Sequence, residues 1–323
     1  MVQQSPRPLP QGVYVPTVTF FKNENEVDIT TTKKHAVRLA KAGVAGIAVQ
    51  GSNGEAVHLD SEERKAITTA TRSALDENGF SQVPVIVGCG AQSTRETLRL
   101  CRDAADAGGD YVLILPPSYY RSLMTRDTVL RFYSEVAEAS PLPVVIYNFP
   151  GAVAGIDLDS DDVIELGKLD KIVGIKLTCG NTGKLARIAS ALELQANSRT
   201  QKFSTFGGSA DFTLQTFIAG GDGVVGGVGN LIPYSCVKVV DLYKAGKIAE
   251  AQELQGVVAR ADWITIKAGF VGTKAALEEF WGYPSCAPRR PYFKPEGKAL
   301  EELKKGLKEA VEVERKLAAV NGN

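Results

Sequence analysis

The stretch VVIYNFPGAVAGIDLDSDDVIELGKLDKIVGIKLT, residues 144–178, contains the unit that decides the fold. It begins with a short apolar run, Val144–Tyr147, and ends with another, Ile172–Leu177. Between the two runs, Ser160–Leu169 has the apolar spacing of an amphipathic helix. Short apolar runs joined through a helix are typical of parallel strands that are buried on both faces, so this stretch predicts a β-α-β unit.

The same unit recurs along the chain. Eight apolar runs are present: Val13–Thr19, Gly46–Gln50, Val83–Gly88, Tyr111–Leu115, Val144–Tyr147, Ile172–Leu177, Lys202–Gly207 and Gly223–Gly227. Helical patterns lie between them: Thr31–Ala42, Ser61–Asn78, Ser93–Ala107, Arg126–Ala139, Ser160–Leu169, Asn181–Leu192 and Ala210–Ala219. Eight strand-helix units predict an α/β fold of the closed (β/α)8 type, a TIM barrel. The strand count alone leaves a doubly wound open sheet as an alternative.

Three further helical patterns follow the last strand: Lys247–Arg260, Ile266–Trp281 and Lys298–Ala319. A barrel of this type needs about 250 residues, so the remainder fits an addition to one domain. We therefore predict three parts, a flexible N-terminal arm over residues 1–11, the barrel over 12–245 and a C-terminal helical extension over 246–323.

Charge and cysteine content limit the class of protein. The 323 residues include 37 lysines and arginines against 37 aspartates and glutamates. Since nucleic acids and anionic membranes are bound through clustered basic charge, we expect neither as a partner. Five cysteines without a Cys-x-x-Cys pair are typical of a reduced intracellular chain. The polar first twelve residues lack the apolar core of a signal peptide, so we expect a cytoplasmic protein, with a mitochondrial location as the alternative.

Only two histidines, His35 and His58, are present, which disfavours a histidine-rich metal site. Each is expected to be a packing or surface residue. The histidine count therefore disfavours metal-dependent catalysis and makes a metal-dependent aldolase or hydrolase the less favoured enzyme.

Chemistry in a barrel is expected at the carboxyl ends of the strands. Lys176 stands in an otherwise apolar strand, and a buried charge is costly unless it is paired or neutralised. A neutral amine attacks carbonyl carbon, so Lys176 is a candidate nucleophile. A lysine that extends to the rim of the barrel, or that pairs with a carboxylate, is an equally weighted alternative.

Two other strand ends add polar groups. Tyr147 ends the preceding strand and can relay protons beside Lys176, although an aromatic side chain that only fills the core is a common alternative. Ser52 and Asn53 lie between Gly51 and Gly54, where the backbone can approach a carboxylate. The alternative for this loop is a tight turn without a ligand.

Four motifs then occur in order and together: GSNGE (51–55), PPSYYR (116–121), YNFP (147–150) and GIKLT (174–178). The chain with this set resembles the pyruvate-dependent class I aldolases, the family that includes dihydrodipicolinate synthase and N-acetylneuraminate lyase. The resemblance runs from about Gly12 to Arg290 and rests on the joint set, since each motif alone is weak. It implies a lyase that forms a Schiff base with a 2-keto acid such as pyruvate. A non-catalytic barrel that binds a keto acid is the alternative from another class.

The resemblance also implies roles for single residues. Lys176 forms the Schiff base, and Tyr147 is the general acid and base at the bond that breaks. Ser52 links Tyr147 to Tyr119, which in this family reaches in from the neighbouring subunit of a tight dimer. The implied assembly is a homo-oligomer, a homotetramer built as a dimer of tight dimers. The implied substrate-binding positions are Ser52, Asn53, Thr178, Val225 and Gly226.

Departures from the family pattern bear on the substrate. Dihydrodipicolinate synthases usually carry GTTGE and an arginine shortly after YNxP, whereas the segment 151–155 here has no arginine. A second carboxylate on the substrate would lack that charge-assisted partner, which disfavours dihydrodipicolinate synthesis. The motifs resemble two subgroups, 4-hydroxy-2-oxoglutarate aldolase and the fungal-type aldolase that cleaves 2-keto-3-deoxy-L-galactonate in carbohydrate acid catabolism. The second is favoured, because GIKLTCGNTGKLARI (174–188) resembles it and an uncharged segment suits a polyol.

Overall fold

The main sheet of the protein is a closed barrel of eight parallel strands. The computed structural model describes residues 7–22, 25–194 and 201–321. The closed order confirms the predicted TIM barrel against the open sheet. In barrel order the strands are β1 (Gly12–Pro16), β4 (Gly46–Val49), β5 (Val85–Gly88), β6 (Tyr111–Ile114), β7 (Val144–Asn148), β8 (Ile172–Leu177), β9 (Ser204–Gly207) and β10 (Gly223–Val225), and β10 pairs with β1. The other two strands, β2 (Phe21–Lys22) and β3 (Glu26–Val27), form a short antiparallel hairpin that was not predicted.

A helix follows each barrel strand. These helices are α1 (Ile29–Lys41), α2 (Ser61–Glu77), α3 (Thr94–Asp106), α4 (Arg126–Ala139), α5 (Ser160–Leu166), α6 (Thr182–Glu193), α7 (Thr213–Ile218) and α8 (Pro233–Lys244). Seven overlap the predicted helices, and α8 was missed. Its valines, tyrosines and cysteine are weak helix formers, so the local pattern was not recognised. Burial of Cys236, Val239 and Val240 against the barrel stabilises it instead.

Side chains cap the starts of these helices. The Asp60 carboxylate accepts a hydrogen bond from the Glu63 N–H (2.9 Å), and the Glu63 carboxylate accepts one from the Asp60 N–H (3.0 Å). In this capping box Asp60 is the N-cap, and α2 begins at Ser61, where the helix was predicted to begin. At the start of α3, the Ser93 hydroxyl accepts a hydrogen bond from the Glu96 N–H at 3.2 Å.

The barrel has two apolar layers. One lies between the strands and the surrounding helices. The other fills the barrel interior with Tyr14, Ala48, Ile86, Tyr111, Leu113, Val145, Tyr147, Val173, Phe206 and Val225. Neighbouring strands contribute to the interior because parallel pairing sets their side chains at matched heights. The interior is therefore packed, and open space is left to the strand ends.

Two matching turns close the amino end of the barrel. In each, an Ala-Gly-Gly-Asp segment leaves a helix through a glycine of positive φ, Gly108 at 90° and Gly220 at 84°. Asp110 accepts from the Val85 N–H at 2.8 Å and Asp222 from the Thr205 N–H at 2.9 Å. The two aspartates thus tie neighbouring strand starts together.

Basic side chains neutralise both of these aspartates. Arg7 pairs with Asp110 at 2.8 Å, and Lys202 pairs with Asp222 at 2.7 Å. Arg7 belongs to the predicted arm, whose first six residues lie outside the described residues. Its contact attaches the described end of the arm to the barrel.

Two long helices complete the fold, α9 (Ile248–Trp281) and α10 (Gly297–Asn321). Two separate helices were predicted across α9, with a break after Arg260, but the break lies at Gly269 (φ 65°, ψ −168°), inside the second predicted helix. The Lys274 ammonium of α9 lies 2.7 Å from the Glu55 carboxylate, and both side chains are fully buried. The last helices are therefore bound into the barrel, and the predicted division at residue 246 stays a prediction. Among the helices that the structure describes, none is both long and apolar enough to span a membrane.

Candidate active site

Lys176 lies inside the barrel, one residue before the end of β8. It pairs in register with Tyr147 on β7 and with Phe206 on β9, which both belong to the interior layer. Its ammonium nitrogen lies 4.1 Å from the centre of the Tyr147 ring, and the lysine is 4% exposed. The parallel register thus places an amine directly beside a phenol.

The environment of Lys176 decides between the alternatives that the sequence left open. Its burial excludes a side chain that extends into solvent. In residues 7–22, 25–194 and 201–321, no carboxylate lies within 4.0 Å of its ammonium, unlike the buried lysines Lys184 and Lys274, which pair with Asp157 and Glu55. Lys176 is therefore a buried amine that is not held in an ion pair, as a nucleophile requires.

A cavity of about 520 Å³ opens above Lys176 at the carboxyl end of the barrel. It brings together six of the predicted site residues: Ser52, Asn53, Tyr147, Lys176, Thr178 and Val225. They come from the ends of strands β4, β7, β8 and β10. The cavity combines an amine, a phenol, hydroxyls and an amide, which is the chemistry needed to bind and cleave a keto acid.

Two of the predicted residues lie elsewhere. Tyr119 is 79% exposed in the loop after β6, where its N–H donates to the Gln92 side chain at 2.9 Å and its ring contacts Tyr120. Gly226 is buried behind the cavity, with its N–H bonded to the Tyr14 carbonyl, and Gly227 lines the cavity instead. A single chain therefore does not bring Tyr119 to Lys176.

Glycines make room for the polar groups of the cavity. A β-carbon on Gly227 would lie 2.7 Å from the Asn53 amide nitrogen, and one on Gly208 would lie 2.1 Å from the Thr178 hydroxyl. That hydroxyl is buried and has no hydrogen-bond partner within the described part of the chain. A buried hydroxyl without a partner is costly, so Thr178 is available to a ligand.

The cavity also contains residues that the sequence analysis missed. Phe149 stacks on Tyr147 with ring centres 5.7 Å apart. Ser209 and Asp211 follow β9, and extending the strand-end rule to that strand would have found them. Six more of the missed residues belong to α9 and have no local signal: Asp262, Thr265, Ile266, Gly269, Phe270 and Thr273.

Asp262 is the most strongly bonded of these residues. One of its oxygens accepts hydrogen bonds from the Ser209 hydroxyl (2.5 Å), the Ala210 N–H (2.8 Å) and the Asp211 N–H (3.0 Å). Burial raises the pKa of Asp262 despite these bonds, and the nearby Asp211 carboxylate raises it further. Burial also raises the pKa of Asp211, and its Oδ1 has no partner among the described atoms.

Both histidines are structural, as predicted. His35 is fully buried between the Tyr283 hydroxyl and the Asn230 amide oxygen, each at 3.0 Å, and burial lowers its pKa to about 3. His58 lies 3.1 Å from Glu55. Within the described ranges, no group of three or more histidine, cysteine, aspartate or glutamate side chains is arranged to hold a metal ion.

Comparison with known proteins identifies the family. The chain matches the model of the dihydrodipicolinate synthetase family over residues 9–310. A relative from Emericella nidulans, named "Probable 4-hydroxy-2-oxoglutarate aldolase, mitochondrial", is 58% identical over 311 residues, 96% of this chain and 98% of the relative. L-threo-3-deoxy-hexylosonate aldolase from Hypocrea jecorina is 48% identical over 315 residues, 97% of this chain and 100% of the relative.

A solved structure agrees with this assignment. The crystal structure of a dihydrodipicolinate synthase family protein from Coccidioides immitis has a TM-score of 0.86 to this chain at 35% identity. The match covers 97% of this chain and 100% of the Coccidioides immitis chain. The chain therefore belongs to the dihydrodipicolinate synthetase family and is an aldolase, a carbon–carbon lyase, as its motifs predicted.

Proposed function

We propose that this aldolase cleaves a 2-keto-3-deoxy sugar acid, 2-keto-3-deoxy-L-galactonate, to pyruvate and L-glyceraldehyde through a Schiff base on Lys176. The observation that carries the proposal is the buried amine of Lys176, which has no ion-pair partner in the described chain and lies 4.1 Å from the Tyr147 ring centre. A nucleophile and an acid-base group are thus adjacent in one cavity.

The proposed reaction begins when the neutral Lys176 amine attacks the C2 carbonyl of the substrate. Loss of water gives a protonated imine, which accepts the electron pair of the C3–C4 bond as that bond breaks. Tyr147 takes the proton of the C4 hydroxyl, and glyceraldehyde leaves. The enamine that remains is protonated at C3, and hydrolysis releases pyruvate and the free lysine. The iminium supplies the electron withdrawal, so the proposed reaction uses no cofactor.

The other residues have supporting roles in this proposal. Asn53 and the backbone at Ser52 hold the C1 carboxylate, and Val225 with Gly227 borders the methyl end of the pyruvyl group. The Thr178 hydroxyl lies two residues beyond Lys176 and binds substrate, which its buried and unpartnered oxygen supports. Ser52 connects Tyr147 to Tyr119 in a proton relay.

The relay requires a second subunit. Tyr119 is 79% exposed and lies outside the cavity of its own chain. We therefore propose a tight homodimer in which each Tyr119 enters the partner's site, with two such dimers in a homotetramer. The exposed apolar side chains Tyr120 and Leu123, in the loop of Tyr119 after β6, and Val57, in the loop after β4, are the expected contact surface.

The second candidate substrate is 4-hydroxy-2-oxoglutarate, which yields pyruvate and glyoxylate by the same steps. The name of the Emericella nidulans relative favours it. The name of the Hypocrea jecorina relative favours a six-carbon 3-deoxy keto acid instead. The uncharged segment Gly151–Gly155 agrees with the second name, because it offers no cation to a second carboxylate.

Two assays test the proposal. Borohydride reduction with pyruvate should leave a stable adduct on the peptide that contains Lys176, seen by mass spectrometry. Pyruvate release, coupled to lactate dehydrogenase, should be faster from 2-keto-3-deoxy-L-galactonate than from 4-hydroxy-2-oxoglutarate and should persist in a chelator. Absence of the adduct contradicts the Schiff base, whereas preference for the dicarboxylate contradicts only the substrate.

The compartment is a further part of the proposal. The composition favours the cytoplasm, whereas the name of the Emericella nidulans relative favours the mitochondrion. Fractionation of cells that express the tagged full chain separates the two, and recovery with mitochondrial markers would overturn the cytoplasmic prediction.

A further inference from the structure

One wall of the active-site cavity comes from outside the barrel. Six cavity-lining residues belong to α9, from Asp262 to Thr273. The helix can reach the cavity with its backbone because Gly269 leaves helical geometry there. The strand ends hold Lys176 and Tyr147, so α9 faces the part of the substrate that extends away from the imine.

Asp262 connects α9 to the loop that follows β9, residues 208–212. Its side chain is 1% exposed, and one carboxylate oxygen accepts two consecutive backbone N–H groups and the Ser209 hydroxyl. The Thr265 hydroxyl donates to the other oxygen at 3.3 Å. These bonds fix the conformation of the 208–212 loop, and with it the position of Asp211 in the cavity.

The cavity wall formed by α9 and the 208–212 loop contains no basic side chain among the described residues. In the described residues, neither Asp211 nor Asp262 has a lysine, arginine or histidine within 4.0 Å, and Lys176 is the one basic residue in the cavity lining. A carboxylate on the substrate would lack a charge-assisted partner at this wall and would meet two carboxyl groups. A substrate hydroxyl there can donate to Asp211 Oδ1, or to the hydroxyl oxygen of Ser209 or Thr265, whose own protons are donated to Asp262.

We propose that Asp262 is a positioning residue that holds the 208–212 loop against the leaving-aldehyde end of the substrate, and that the loop in this position admits a neutral, hydroxyl-bearing chain and disfavours a carboxylate. The inference rests on the proposed function, since it concerns the part of a keto acid that extends beyond the Schiff base. It assigns the choice of aldehyde to α9, while the strand ends perform the bond cleavage.

The test compares three variants of the full-length enzyme. Asp262→Ala removes the acceptor, Asp262→Asn retains one oxygen for the backbone N–H groups, and Glu253→Gln changes an exposed carboxylate on the same helix as a matched control. The measured quantity is the ratio of kcat/KM for 2-keto-3-deoxy-L-galactonate to that for 4-hydroxy-2-oxoglutarate. Borohydride trapping of pyruvate on Lys176 is measured in parallel, because it needs only the pyruvyl end of the site.

We expect Asp262→Ala to lower the ratio about tenfold or more, mainly through a higher KM for the sugar acid, as loss of a buried hydrogen-bonded partner does. Asp262→Asn should lie between Asp262→Ala and the wild type, and Glu253→Gln should match the wild type. Pyruvate trapping should stay within about twofold in all three. A purely structural residue would instead lower trapping and both activities together and leave the ratio unchanged.

An unchanged ratio in Asp262→Ala with intact trapping overturns the inference. If that variant does not fold, as judged by its thermal unfolding, Asp262→Asn and Asp211→Asn decide, and a wild-type ratio in both overturns it equally. Wild-type enzyme that prefers the dicarboxylate also overturns it while leaving the Schiff base intact. Failure of the wild type to trap pyruvate contradicts the proposed function itself, so the two failures are distinguishable.

Discussion

The polar groups at the two ends of the barrel differ in whether they have bonding partners. At the amino end, Asp110 and Asp222 each bind a backbone N–H and a basic side chain. At the carboxyl end, Lys176 has no ion-pair partner, and the Thr178 hydroxyl and Asp211 Oδ1 have no hydrogen-bond partner, all within the described part of the chain. These two aspartates at the amino end are thus paired, whereas the cavity at the carboxyl end leaves several polar groups available.

This difference suggests separate roles for the two ends of the barrel, with the amino end stabilising the fold and the carboxyl end serving the reaction. An unsatisfied buried polar group costs roughly 1–3 kcal/mol, so a folded chain retains several of them together only where something else supplies the partner. For the cavity groups at the carboxyl end, we propose that the substrate is this partner. Substitutions at the two ends should therefore change different measured quantities.

The strongest contrast is expected for lysine. Lys176→Ala should lower kcat by at least about a thousandfold and abolish borohydride trapping, because no other amine in the cavity lining can form the imine. Lys202→Ala, which removes a lysine at the amino end, is the control and should keep normal turnover. Pyruvate release and adduct mass measure both. Trapping that survives in Lys176→Ala would show that another residue is the nucleophile.

A pair of tyrosines gives the next contrast. Tyr147→Phe should lower kcat by about a hundredfold or more, since general acid-base catalysis contributes that much, while pyruvate is still trapped. Tyr14→Phe removes another of the interior phenols, one that donates to the Pro10 carbonyl at 2.7 Å at the amino end. That variant should keep its kcat. Equal kcat values for the two variants would contradict the role of Tyr147.

Tyr119 extends the contrast to the assembly. Tyr119→Phe should lower kcat about tenfold, a smaller effect because it acts through Ser52 and Tyr147. Mixing it with Lys176→Ala under conditions that exchange subunits should restore about a quarter of wild-type activity, because half the dimers are mixed and each mixed dimer contains one complete site. No recovery on mixing, with exchange verified by mass spectrometry, would exclude a shared site.

At the amino end the effect should appear in stability alone. Asp222→Ala leaves the Thr205 N–H without its acceptor and Lys202 without its partner, and it should lower the free energy of unfolding by about 1–3 kcal/mol. Denaturant unfolding measures this loss, and kcat at 25 °C should be unchanged. A large fall in kcat without loss of stability would remove the distinction between the two ends.

His35 provides a further test of the comparison, because it lies near the carboxyl end but has hydrogen-bond partners at both ring nitrogens. Its pKa is lowered to about 3 from 6.5, so its contribution to stability is complete above pH 6.5 and is lost as the pH falls towards 3. The free energy of unfolding should fall there by up to about 1.4 kcal/mol per pH unit, and His35→Gln should lose this component. Parallel pH curves for the two proteins, measured by denaturant unfolding, would contradict the assignment.

The sequence was sufficient to predict which site residues on consecutive strands lie next to each other. Lys176 and Tyr147 could be placed side by side because each ends an apolar run, and parallel strands bring such ends to one side of the barrel. Asn53 followed from the same rule, whereas Thr178 was implied by the resemblance to the family. The closure of the sheet could not be derived from periodicity, which is the same for an open and a closed order.

The contribution of α9 could not be predicted in this way. Asp262 lies in a helix whose pattern shows which face is apolar but not where the helix packs. Its contact with the 208–212 loop is a tertiary contact between segments about 50 residues apart. The case of Tyr119 is the opposite: the sequence predicted a role for it, but that role depends on a partner chain, and in a single chain its side chain is exposed to solvent.

The buried pair of Glu55 and Lys274 has a consequence for the order of folding. The two residues are 219 positions apart along the chain, yet the final position of the GSNGE loop depends on their contact. A chain emerging from the ribosome completes this loop only after α9 has been synthesised. The barrel strands can pair earlier, but the newly made enzyme becomes competent to bind its substrate near the end of translation.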